Sequence, residues 1–192
     1  MVSMLIPTDR FCCAVPRCPA LALACLPWLL AAAACSPTFN WREWRSDDVP
    51  LHALMPCKPE TAVRTVPLLG AATPLHMHSC ETGGVTFALA WAEIPAAAQV
   101  PAAIAQWRAA ALATLRVDPA QAEQAQYQWT IAVRGADMAQ GVQAQGQIPE
   151  QPAVHMRAAY FAQGTHVYQA AVYASQLPAT EVVTFFESLR LP

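Results

Sequence analysis

From Leu51 onward the apolar positions follow strand rhythms. Residues 51–55 form a short strand stopped by Pro56, residues 62–68 a second and residues 73–81 a third, with Gly70 marking the turn between the last two. Beyond Gly83 and Gly84, residues 85–92 alternate cleanly. Val85, Phe87, Leu89 and Trp91 make a bulky face, whereas Thr86, Ala88, Ala90 and Ala92 make a small one. Successive strand side chains point to opposite faces, so the alanine side would let a helix approach the sheet closely.

Pro101 is suited to open a helix. Val100, Ile104, Trp107, Ala111, Leu112 and Leu115 recur at spacings of three and four and predict an amphipathic helix over 100–116. Tyr127, Trp129, Ile131 and Val133 alternate with small or polar residues, which predicts a half-buried strand turned by Arg134-Gly135-Ala136-Asp137. The Gln- and Gly-containing residues 138–147 make a weaker strand, and residues 148–152 make a loop. Residues 153–162 and 165–174 pair as a hairpin about Gln163-Gly164. Pro178 starts a final helix with Glu181 in its first turn, where the helix dipole favours negative charge, and with a stripe of Val182, Phe185, Phe186 and Leu189. Strands joined by hairpin-length connections and separated by two helices predict an α+β fold, a mainly antiparallel sheet flanked by helices.

Ahead of this pattern lies a different one. Arg10 and Arg17 precede an apolar run over 20–34, the charged and greasy parts of an export signal. The run is shorter than the roughly 20 residues a bilayer core requires, and Pro27 interrupts it. It ends in Ala32-Ala33-Ala34-Cys35-Ser36, which resembles the lipobox of bacterial lipoproteins, with Ala32 where Leu is usual. The resemblance implies cleavage before Cys35 and a covalent lipid on its thiol. Ser36 implies sorting to the outer membrane, facing the periplasm. An uncleaved N-terminal anchor and a plain secretory signal are the alternative readings. The expected organisation is a signal peptide over 1–34, a tether over 35–50 that becomes ordered near Trp41 and Trp44, and a single domain over 51–192.

Cysteine usage supports export. Cys12, Cys13, Cys18, Cys25 and Cys35 lie in the leader, leaving Cys57 and Cys80 for the domain, and two cysteines in an exported domain suggest one disulfide. Hydrophobic residues are 55% of the chain and charged ones 12%, but much of the excess is alanine rather than a series of spanning segments. The formal charge is −2, Lys58 is the single lysine and the arginines are scattered, so nucleic acid is not an expected partner.

The run Leu51-His52-Ala53-Leu54-Met55-Pro56-Cys57-Lys58-Pro59, followed by Thr65-Val66-Pro67-Leu68-Leu69-Gly70, resembles a pattern common in small bacterial exported proteins. The later strand, helix, hairpin and closing Phe185-Phe186-Glu187-Ser188-Leu189 occur in the same order. Such proteins are similar to the group sharing the fold of PsbP, the extrinsic subunit of photosystem II. That resemblance implies a sheet flanked by helices and a binding or assembly role. It implies no particular activity.

Candidate chemistry is sparse. His76, His78 and Cys80 alternate along one strand and could share a face, where a His-x-His pair with a soft sulfur would chelate zinc or copper. That site would compete with the disulfide for Cys80. Ser79, Ser175 and Ser188 lack the Gly-x-Ser-x-Gly elbow, and neither a Walker loop nor Gly-x-Gly-x-x-Gly occurs. The acids are too dispersed to nominate an acid/base pair. The expectation is a noncatalytic cell-envelope accessory, joined to the membrane by its lipid on Cys35, without another cofactor, and binding an envelope protein or a small ligand. A periplasmic metal-binding protein using His76 and His78 is the alternative.

Overall fold

The computed structural model describes residues 37–118, 120, 124, 127–147 and 153–192. The predicted signal peptide, Cys35 and the 148–152 loop lie outside the described residues. A compact unit spans Pro37–Pro192. Its strands are β1 (Arg42–Arg45), β2 (His52–Met55), β3 (Glu60–Leu68), β4 (Ala71–Thr82), β5 (Val85–Glu93), β6 (Gln128–Trp129), β7 (Met138–Gln147), β8 (Ala153–Gln163) and β9 (His166–Ala174). Its helices are α1 (Val100–Thr114) and α2 (Ala179–Glu187).

Seven strands form one sheet in the order β3-β4-β5-β9-β8-β7-β6, every neighbouring pair antiparallel. The fold is therefore α+β, a mainly antiparallel sheet with two helices. The alternation along β5 decides what covers each face. Ala90 and Ala92 join a core with Ala103, Ile104 and Leu112 of α1, the close approach that small side chains permit. Phe87, Leu89 and Trp91 face the other way, into a core with Val182, Phe185 and Phe186 of α2 and with Leu51, Ala53 and Met55.

The second layer begins earlier in the chain than the tether reading over 35–50 expected. β1 pairs with β2 from Arg42 opposite Met55 to Arg45 opposite His52. Phe39 and Trp41 meet Phe87 edge-on at 6.2 and 5.7 Å, and Phe185 meets it at 5.3 Å. Such pairs add about 0.5–1.5 kcal/mol each beyond area burial. From residue 37 on, the chain is part of this compact unit, and the rings of Phe39 and Trp41 cover Phe87.

Two further elements depart from expectation. Only Gln128 and Trp129 of the expected 127–133 strand pair with the sheet. Beyond them the chain turns to the C-terminus, where the Leu191 amide donates to the Arg134 carbonyl at 2.8 Å. The weaker stretch 138–147 is, by contrast, a full strand. Its glycines are sockets for large neighbours: a Cβ on Gly141 would lie 2.6 Å from Nε1 of Trp129, and one on Gly146 would lie 2.6 Å from Cβ of Leu115. Helix α1 ends at Thr114, two residues short of the predicted 116, because Arg116 adopts a left-handed φ of 57°.

Candidate functional site

Cys57 and Cys80 are joined as a disulfide with Cα atoms 5.9 Å apart. The bridge ties the exit of β2 to the middle of the β4–β5 ladder, linking the small two-stranded layer to the main sheet.

His76, His78 and Cys80 occupy alternate positions of β4. The sulfur of Cys80 is taken by Cys57. The ring of His76 stacks on Trp91, centroids 3.9 Å apart and planes 7° apart. His78 lies against Trp44 at 4.7 Å, and its Nδ1 is 3.2 Å from the Thr61 hydroxyl. Burial lowers the His78 pKa below its ordinary 6.5, and His76 lowers it further, against the opposing pull of Asp48 and Asp47. Among the described residues no group of three or more His, Cys, Asp or Glu is placed to hold a metal. In this arrangement each imidazole packs on an indole, and the sulfur that would be the third ligand is engaged in the disulfide.

The serines divide similarly. The Ser188 hydroxyl accepts from the Leu54 amide at 2.8 Å and donates to the Phe185 carbonyl at 2.6 Å, so it ties α2 to β2. Ser175 is exposed at the mouth of a cleft of about 610 Å³ between the last turn of α1 and the ends of β5, β8 and β9.

Backbone chemistry holds this cleft open. The Gln147 amide donates to the Leu115 carbonyl at 3.0 Å, and Gly146 provides the clearance that lets Leu115 rest on β7. The helix end is thereby pinned toward β7. A gap remains over the small residues at the other strands' ends, where Ala111, Leu115, Val154 and Ala174 supply apolar wall. Thr86, Thr114 and Tyr173 supply hydroxyls, and Glu81, which is exposed, supplies a carboxylate. Burial pushes the Tyr173 pKa up to about 12, so its hydroxyl is a neutral hydrogen-bonding group at ordinary pH. Deeper under α1, Gln169 Nε2 donates to the Tyr160 hydroxyl at 2.8 Å, which satisfies the buried polar pair. The cleft suits an apolar ligand carrying one or two polar atoms.

The sequence pattern marks none of these cleft residues as a ligand-binding group. The small face of residues 85–92 is the signal it offers, since a strand end without bulk beneath a helix end leaves space.

No protein-family model matches the chain, and no curated protein matches it. Among solved structures, a Pseudomonas aeruginosa protein of unknown function is similar at 17% identity and a TM-score of 0.35, over 74% of this chain and 90% of that one.

Proposed function

We propose that this chain is a lipid-anchored protein of the cell envelope, with a PsbP-like domain that binds an apolar ligand rather than transforming one. The lipid is attached at Cys35, and the domain sits at the outer membrane facing the periplasm. The leader pattern supports the address. The observation that carries the binding role is the cleft of about 610 Å³ between α1 and the sheet, with apolar walls and neutral hydroxyls. Its size is in the range of small-molecule sites, and an acyl chain or similar apolar group matches its lining.

Two measurements test the parts separately. Intact mass and N-terminal sequencing of protein extracted from the envelope should show Cys35 as an acylated first residue. An unmodified N-terminus, or a retained leader, would remove the lipid anchor. Native mass spectrometry of the same material should show a bound apolar molecule that is absent from Ala111→Trp, which fills the cleft. If the wild-type mass carries no ligand, or the filled variant retains it, binding in this cleft is refuted.

A further inference from the structure

We propose that Arg157 and Trp129 form a second binding site, on the α2 face of the sheet, for a small organic carboxylate. The site is built from the backbone upward. Arg157 stands in β8 between Met156 and Ala158, and strand alternation turns it away from α1, toward α2. Opposite it on the sheet edge, the indole of Trp129 lies in the space left by Gly141. The indole N–H donates to the carbonyls of Val142 and Ala158, both at 3.2 Å, and Phe186 closes on the ring edge-on at 5.0 Å. Gly141 and Val142 of β7, Ala158 of β8 and Phe186 of α2 therefore fix the orientation of one ring.

The guanidinium of Arg157 rests on that ring, its central carbon 4.0 Å from the centroid. A cation over an indole face is attracted by the ring quadrupole, but that contact satisfies none of its N–H groups. Nε of Arg157 is buried without an acceptor, and no carboxylate pairs with the side chain among the described residues. A half-buried guanidinium without a counter-ion is costly, and burial lowers its pKa with no acidic group opposing.

A cleft of about 240 Å³ opens beside it, walled by Ile131, Val182 and Phe186, with exposed Glu187 also on its lining. That space corresponds to roughly eight water volumes. It fits one carboxylate on a six- or seven-carbon apolar body. The donors of a guanidinium lie in one plane, the arrangement that binds a coplanar carboxylate through two parallel hydrogen bonds. The apolar walls would take the body of the same molecule. This site shares no lining residue with the α1 cleft, so it stands or falls independently of the ligand proposed there.

Benzoate is the probe, with benzyl alcohol as its neutral counterpart. In nitrogen-15 spectra of the full-length protein, benzoate should shift the Arg157 Nε–H and the Trp129 indole N–H with a Kd in the roughly millimolar range. Benzyl alcohol should bind at least about tenfold more weakly. Arg157→Gln should abolish the shift at Trp129. Arg157→Lys, which keeps the charge and stem, should weaken it about tenfold and serves if the Gln variant does not fold. Glu187→Gln should tighten binding by removing a like charge. The proposal is overturned if benzoate leaves both signals in place, if benzyl alcohol binds as tightly, or if the folded Arg157 variants retain wild-type affinity.

Discussion

Removing the Cys57–Cys80 bridge is the perturbation whose magnitude follows most directly from the chain. The two cysteines are 23 residues apart in sequence. On the loop-entropy relation, closing such a loop removes about 11.4 cal/mol/K from the unfolded chain, or about 3.4 kcal/mol at 25 °C. That is a large share of the roughly 5–15 kcal/mol by which small domains are stable. Cys80 is 7% exposed, so alanine is the appropriate replacement, since a serine hydroxyl there would add its own desolvation cost. Denaturant unfolding of Cys57→Ala/Cys80→Ala against the oxidised wild type should show a loss of about 3.4 kcal/mol, seen mainly as a lower midpoint. The bridge itself can be read from non-reduced tryptic peptides. Cleavage at Arg45, Arg64 and Arg108, with Lys58-Pro59 resistant, places Cys57 in residues 46–64 and Cys80 in residues 65–108, linked as one species. Separate peptides would refute the bridge. A linked species with a loss below about 1 kcal/mol would refute the entropic reasoning, because native strain or a structured unfolded state would then outweigh loop closure.

Gly141→Ala should destabilise by about 1–3 kcal/mol, because the new methyl cannot coexist with the indole of Trp129; thermal unfolding checks this. The two faces of the sheet should be sensitive to opposite changes of side-chain size. Phe87→Ala leaves a cavity among Phe39, Trp41 and Phe185 at a cost of about 3–5 kcal/mol, whereas Ala171→Leu overpacks the α1 face at about 1–3 kcal/mol, both measured by denaturant midpoint. Tyr168 and Tyr173 are pushed up to about 12 by burial, so phenolate absorbance should show both still protonated at pH 11. Between their ordinary value of 10 and the folded value, the folded state holds protons that the unfolded state has released; unfolding there is linked to proton release, so stability should fall as pH rises through that window. Stability measured from pH 10 to 12 should fall for the unfolding free energy's slope to agree. His78 gives the opposite slope at the acid side. Its folded pKa lies below 6.5, so the unfolded state binds its proton first and stability should fall as pH drops through that value, followed by the imidazole proton signals.

Much of the architecture was legible because local periodicity and burial coincide in this chain. The alternation of β5 separates large from small side chains so completely that it identifies the face open to a helix without reference to the helix itself. Pro101, Gly164 and Pro178 act through backbone geometry alone, and all three stand at element boundaries or turns. The β7 segment was harder to read for the converse reason. Gly141 and Gly146 look like weak strand residues in isolation, and their value lies in Trp129 and Leu115, which are distant contributions to their surroundings.

Sequence by itself determined the class of fold, the positions of both helices, the closing hairpin and the pair of cysteines available for oxidation, since each depends on neighbours in the chain or on a count. Only the tertiary structure decided that residues 37–45 belong to the domain, that His76 and His78 pack on separate indoles, and that two clefts open on opposite faces of the sheet. Those outcomes depend on which side chains meet across strands far apart in sequence. The guanidinium of Arg157, without a carboxylate partner among the described residues, shows the difference most plainly. An arginine among apolar residues is visible in the sequence, but whether a carboxylate neutralises it is a property of the space around it.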